Sequence, residues 1–441
     1  MAYLLKDSSI LIVGTGTFGL STAVHLARRG FTNIQCLDRW PYPSPDSAGY
    51  DINKIIGMRN DTPVTARVSR EALAGWQEPL FESVWHEVGL ITSATTPEAT
   101  EYCRRAYQSW LDCGEERNVQ WLETKEDFHA LVPQLREGGV PGWRGFFHRR
   151  AGWAHAKEAM RIMGDEAARL GVRFATGPAA TMKELLLDEG GQAVGIIAED
   201  GTRWTADRVV LCTGAWSDAL VDMEGQLEAK CWTLAHIQLS PDECAALNGI
   251  PVVMNLDEGF FFEASSDGQV KICNEFPGFT HKISLSDGRH VSVPRSHAQN
   301  PGDSIPHQSR KAMRELLAKT IPEFKNRPFV VEKVCWCTDT QDRNWLVDTH
   351  PEHARLVLAT GDSGSAFKML PVMGKYISDL VEGKSLDPVL QDAWKWRPSQ
   401  KTIEKRFGGN GRTEDLKDMD GWRAEELSKP LSKSSRLGHR L

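Results

Sequence analysis

Ser9–Val13 is a short apolar run rich in β-branched residues, and the stretch that follows, LSTAVHLARRG, carries its apolar residues at helical spacing. The pattern predicts a buried strand that feeds an amphipathic helix. NIQCLDR predicts a second strand, and PYPSPDSAGYDINKIIG, rich in proline and serine, predicts a loop. From about Arg67 to Gln134 the chain reads as mainly helical, with EALAGWQEPLFESVW and EYCRRAYQSWLDCG as amphipathic stretches. HAKEAMRIMGDEAARLG predicts a helix closed by a glycine cap, and VRFATG the strand after it. GGQAVGIIAEDGTRWTADRVVLCTGAWS predicts a hairpin and then a buried strand.

That last strand has a near twin in RLVLATGDSGSAFKMLP. Each runs from an arginine through apolar residues to Thr-Gly. Two such edges far from the first strand imply a nucleotide domain assembled from separated segments, residues 1–90, 150–220 and 330–395. Between about Glu228 and Pro328, the alternating runs HIQLS, PVVMN, GFFFEAS, VKICNE and HVSVP predict one face of an antiparallel sheet. They place a substrate domain at residues 91–149 and 221–329. Residues 396–441 form a polar, glycine-rich C-terminal segment with a mobile tail.

Composition narrows the classes. The 441 residues are 41% hydrophobic and 25% charged, an ordinary soluble balance, and are long enough for two domains. A formal charge of -7 argues against nucleic acid or an anionic membrane as the main partner. No apolar run approaches the roughly 20 residues needed to span a bilayer. Nine scattered cysteines form no regular framework, which points to a reducing compartment, and their spacing supports no metal site.

Between the first strand and helix lies Gly14-Thr15-Gly16-Thr17-Phe18-Gly19. Gly14 permits the tight turn, Gly16 lets the backbone approach a pyrophosphate, and Gly19 lets helix and strand pack closely. The helix N-terminus then faces the phosphate charge. Asp38 ends the second strand about 20 residues beyond the last glycine, where a carboxylate bonds a ribose hydroxyl. The motif by itself does not separate NAD from FAD. It has no second copy, which disfavours a flavoenzyme reduced by nicotinamide.

With these segments in view, the chain resembles the sarcosine-oxidase type of FAD amine oxidases, and within it the fungal fructosyl amino acid (Amadori) oxidases. The resemblance covers nearly the whole chain. It rests on GTGTFGLSTAVHL, SAGYDINKIIG, VVLCTGAWS, GFFFEASSDGQVKICNEFPGF, VCWCTDTQDRNWLVDTHP, GDSGSAFKMLP and RFGGNGRTEDL. It implies an α/β fold with an antiparallel sheet: a Rossmann-like FAD-binding domain of the glutathione-reductase and D-amino-acid-oxidase type, with a second, substrate domain.

The resemblance also implies roles. Cys335 matches the position tethered to the flavin 8α-methyl through a thioether, with Cys337 the alternative and a small buried hydrophobe the bland reading. Ser47, Asn53 and Lys54 in SAGYDINKIIG, and Asp362, Gly364 and Phe367 near the second Thr-Gly, are implied cofactor-binding positions, joining Gly14, Gly16, Thr17, Phe18, Gly19 and Asp38. Gly364 to Phe367 would present backbone donors to the flavin pyrimidine at a helix N-terminus. Asn53 is implied to influence oxygen access. Lys271 matches a lysine that holds a water near flavin N5, where fixed positive charge favours formation of superoxide. Lys54 and Lys271 are thus the implied catalytic residues. A solvated lysine on an alternating strand would give Lys271 the same pattern, because Val270 and Ile272 claim the other face. Glu275, on the face of Lys271, would bind the sugar hydroxyls and the substrate nitrogen. Lys368 and Arg412 would grip the substrate carboxylate, Lys368 also touching the cofactor, although an exposed arginine in a mobile loop explains Arg412 equally well.

The implied reaction is oxidation of Amadori products, meaning fructosyl amino acids or short glycated peptides, to glucosone, free amino acid and hydrogen peroxide. The partners are then that small molecule and molecular oxygen, acting on a monomer. A sarcosine- or pipecolate-type secondary amine oxidase is the alternative within the fold, and a ligand-binding module without catalysis the alternative outside it. The final His439-Arg440-Leu441 is a weak variant of the peroxisomal Ser-Lys-Leu address, so a peroxisomal or cytoplasmic location is expected.

Overall fold

The computed structural model describes residues 4–57, 63–398 and 413–423. Two sheets carry the architecture. The first has six strands in the order Leu346–Thr349, Leu356–Thr360, Arg208–Leu211, Ile10–Val13, Ile34–Asp38, Arg173–Thr176. Its neighbours run parallel except for the antiparallel outer pair of Leu346–Thr349 with Leu356–Thr360. The twin strands ending in Thr-Gly therefore lie side by side, Val210 beside Val357. Ile10, Ile12, Val210 and Val357, all buried, pack against the helices Thr17–Arg28, Ala156–Arg169 and Met373–Val381. Continuous apolar strands covered by helices are what a parallel sheet requires.

The second sheet is larger and mixed, in the order Phe329–Thr340, Leu227–Gln238, Gln269–Thr280, Gly259–Phe261, Val252–Asn255, Leu90–Ala94, Arg144–His148, Val119–Leu122. Glu414–Asp415 adds a short parallel pairing to Gln269–Thr280. Val270, Ile272, Ala235 and Ile237 form a core beneath it with Met313, Leu316 and Leu317 of the helix His307–Thr320. A small sheet of Lys54–Ile56, Gly152–Ala154 and Trp85–His86 lies apart from both.

The structure departs from the sequence expectation at four places, the first being the strand Lys54–Ile56 inside the stretch expected as a loop. The stretch from Arg67 to Gln134 holds strands as well as helices, because Leu90–Ala94 and Val119–Leu122 find partners in Arg144–His148. His290–Ser292 pairs with Lys282–Ser284 in a separate hairpin instead of joining the large sheet. Phe329–Thr340, expected from residue 330 on in the nucleotide domain, pairs with Leu227–Gln238 in the large sheet, with Cys335 opposite Trp232. Among the described residues no helix is long and apolar enough to cross a membrane.

Candidate active site

The two sheets enclose one cavity of about 640 Å³, which runs from the glycine motif to the face of the large sheet. At one end the turn between Val13 and the helix Thr17–Arg28 is shaped by its glycines. Gly14 has φ +98°, and a Cβ there would lie 2.3 Å from the Cys212 carbonyl oxygen. A Cβ on Gly19 would fall 1.8 Å from the Gly14 carbonyl oxygen, so this glycine seals helix against strand and does not line the cavity. Gly16, Thr17, Phe18 and Ser47 do line it. At Gly16 an added Cβ would come within 3.3 Å of the Ser47 hydroxyl.

Asp38 also lines the cavity, but its carboxylate is well occupied by the protein. One oxygen accepts from the Thr15 amide at 2.7 Å and the Thr15 hydroxyl at 2.9 Å. The other accepts from the Trp40 amide and the Ser44 hydroxyl, both at 3.0 Å. A ribose hydroxyl would share these oxygens rather than find them bare.

The other end carries the charges. Lys271 is 1% exposed, yet it borders the cavity. It donates to Asp51 Oδ2 at 2.6 Å and to the Asn53 carbonyl at 2.8 Å. The same Asp51 oxygen lies 3.1 Å from Lys54 Nζ, and Lys54 donates to Cys335 Sγ at 3.4 Å. Burial pushes the Asp51 carboxyl up, but Lys271 first, then Lys54 and Lys333, override it and hold the group well below the usual carboxylate range. Burial likewise works against the Lys54 ammonium, and the Cys335 sulfur followed by Asp51 raises it well above an ordinary lysine. The result is a chain of contacts, Lys271–Asp51–Lys54–Cys335, in which a buried carboxylate lies between two lysines and the second lysine meets a half-buried thiol. It settles the two faces of the strand, since Val270 and Ile272 enter the apolar core while Lys271 turns to the cavity.

Cys335 and Cys337 share a face of their strand and both border the cavity. Lys54 donates to the Cys335 sulfur. Asp362, Gly364, Phe367 and Lys368 line the cavity as well. Asp362 accepts from the Thr338 amide at 2.6 Å, tying this segment to the strand of the two cysteines. Gly364 has φ +63°, and a Cβ on it would sit 1.7 Å from the Trp232 ring. Gly364 to Phe367 do not open a long helix: a single 3-10 turn, Phe367–Met369, follows them, and the helix begins at Met373, after Pro371. The Lys368 carbonyl accepts from Trp76 Nε1 at 2.7 Å.

Asn53 is fully buried, does not line the cavity, and neither atom of its side-chain amide has a protein partner. Glu275 lies on the strand Gln269–Thr280, with its side chain outside the described residues, as is the whole of Arg412. Asp51 and Trp232 are site residues that the sequence did not suggest. An acid three residues before Lys54 was the available signal for Asp51. The glycine-shaped turn at a helix N-terminus and the length of the cavity fit a dinucleotide.

Comparison with known proteins agrees with this geometry. The FAD dependent oxidoreductase (DAO) family matches residues 9–380, and the chain belongs to that family. L-saccharopine oxidase of Schizosaccharomyces pombe is 30% identical over 433 residues, covering 93% of this chain and 98% of its own. The structure of fructosyl peptide oxidase from E. terrenum superposes with a TM-score of 0.90 at 40% identity, covering 95% of this chain and 99% of that one. The deglycating fructosamine oxidase of Aspergillus fumigatus (Amadoriase II) gives a TM-score of 0.88 at 39% identity, covering 95% and 98%.

Proposed function

We propose that the protein is an FAD-dependent oxidase of Amadori products, cleaving the C–N bond of fructosyl amino acids or short glycated peptides to give glucosone, free amino acid and hydrogen peroxide. The observation that carries the reading is the chain of contacts Lys271–Asp51–Lys54–Cys335 at one end of the cavity that begins at the glycine motif. FAD, when bound, supplies the acceptor for hydride from the carbon between the secondary amine and the sugar carbonyl, and the reductant for oxygen. The protein's own share is binding and electrostatics. Lys271, fixed by two short hydrogen bonds, keeps positive charge where oxygen gains electrons. Lys54 donates to the sulfur of Cys335, the residue to which the flavin is joined. Asp362, Gly364 and Phe367 flank the flavin, Asn53 supports the loop beside it, and Asp38 and Ser47 serve its nucleotide end. Lys368 and Arg412 receive the substrate carboxylate, and Glu275 the sugar. The imine product hydrolyses without a base from the protein.

A monomer is the unit this reading takes. Peroxide as a product suits a peroxisome, where catalase removes it, with the cytoplasm as the alternative. Imaging the whole chain behind an N-terminal fluorescent protein distinguishes the two.

The match to L-saccharopine oxidase supports a second reading, an oxidase of other secondary-amine amino acids. Oxygen uptake by the purified yellow protein with fructosyl-valine, ε-fructosyl-lysine, saccharopine, sarcosine and pipecolate decides between them. Turnover of the fructosyl compounds with the others inert is the expected result. Turnover of saccharopine alone would replace the first reading by the second.

A further inference from the structure

The cavity reaches well past the charges. Following the strand register outward from Cys273, two residues from Lys271, directly opposed residues are Phe260, Met254, Thr92 and Phe146. Opposed residues of adjacent strands share one face, and all five border the cavity. At roughly 4.8 Å per strand this row is about 19 Å long. Its far half is roofed by the helix Pro97–Asp112, whose Tyr102 and Ala106, one turn apart, also border the cavity. Ala106, Phe146, Tyr102 and Met254 pack in a single apolar cluster. Among the described residues, those of the row and roof that border this arm carry no charged side chain, and the one polar residue of its floor is Thr92.

We propose that this apolar arm receives the side chain of the glycated amino acid, so that the preferred substrates are α-fructosyl amino acids, or glycated peptides, with large apolar residues. The inference rests on the Amadori reading and names the substrate within it. With the sugar and amine beside Lys271, the substituent on the α-carbon extends along Phe260 and Met254 toward Phe146. An ε-glycated lysine would instead carry its α-ammonium and carboxylate four methylenes along the row. There they would meet aromatic and thioether groups and, among the described residues bordering the arm, find no opposite charge to offset the hydration they lose.

The test is the kcat/KM series for α-fructosyl-glycine, -valine, -leucine and -aspartate, with ε-fructosyl-lysine, on the holoenzyme. Each buried carbon is worth roughly fourfold, so leucine, with four more carbons, is expected to exceed glycine by about 250-fold, and aspartate and ε-fructosyl-lysine to fall below valine. Ala106→Phe fills the arm and is expected to lower the leucine-to-glycine ratio at least tenfold, a ratio that does not depend on how much enzyme folds. A flat series from glycine to leucine, or ε-fructosyl-lysine as the best substrate, overturns the proposal. So does a leucine-to-glycine ratio unchanged in Ala106→Phe, and if that variant does not fold, the wild-type series decides alone. Failure of every fructosyl compound, glycine included, would instead count against the Amadori reading itself.

Discussion

Asp51→Asn removes a charge and keeps a shape, which isolates what the carboxylate does. The Asp51 oxygen that serves Lys271 at 2.6 Å and Lys54 at 3.1 Å becomes, in one amide orientation, an NH2 group facing two ammonium ions. In the other orientation the amide carbonyl keeps Lys271 but turns its NH2 toward the Ile52 amide, which now donates to Oδ1 at 2.9 Å. Either way a buried cation loses its counter-charge, which costs about 3–5 kcal/mol. With an unfolding entropy of roughly 2 cal/mol/K per residue, a chain of this size loses about 4 °C in Tm for 4 kcal/mol. The carboxyl is held below its ordinary range, so its contribution is full above the unfolded-state value of about 3.9 and fades as pH falls through the lower native value. The carboxylate's own titration therefore adds no pH dependence to the deficit from pH 5 to 8, whereas neutralisation of the uncompensated lysine makes the deficit shrink as pH rises. Burial without a counter-charge favours the neutral amine, so reoxidation of the reduced variant by oxygen should become faster as pH is lowered, while wild type stays flat. Thermal unfolding and stopped-flow reoxidation measure both. An unchanged Tm with a flat reoxidation profile would refute the role given to Asp51.

Acid precipitation of wild-type protein should leave a yellow pellet, and Cys335→Ala, unlike Cys337→Ala, should release the colour to the supernatant. Lys271→Met should slow reoxidation by oxygen at least one hundred-fold and flavin reduction by substrate far less, whereas equal losses would make Lys271 a binding or folding residue. Burial holds the imidazoles of His86, His148 and His236 down to about 4. The unfolded chain then binds more protons between about 6.5 and 4, so stability should fall as pH drops through that window, seen as a declining Tm.

How much of this was legible depended on how local each signal was. The roles of Gly14 and Gly19 are set by neighbours within a few residues or by one adjoining strand, so the sequence conveyed them. The twin Thr-Gly strands were legible because each repeats the same short apolar pattern, and they lie adjacent in the sheet. Lys271 was ambiguous because alternation fixes two faces without saying which one meets water. Asp51 was missed because its contact with Lys271 spans 220 positions, and its spacing from Lys54 is a weak signal by itself. The strand Leu90–Ala94 escaped notice because it is short and borrows its identity from remote partners, Val252–Asn255 and Arg144–His148.

The order of strands in the six-stranded sheet also bears on how the protein is made. Arg208–Leu211 pairs on one side with Ile10–Val13 and on the other with Leu356–Thr360. A ribosome must therefore deliver more than three quarters of the chain before that sheet can close, and until then the apolar edge Val209–Leu211 stands open. Among the described residues, the cavity walls contributed by residues 360–368 arrive last. Flavin loading is thus a late event in the life of each polypeptide. Chains stopped short of Thr360 should emerge as aggregating, colourless products and not as weakened enzymes.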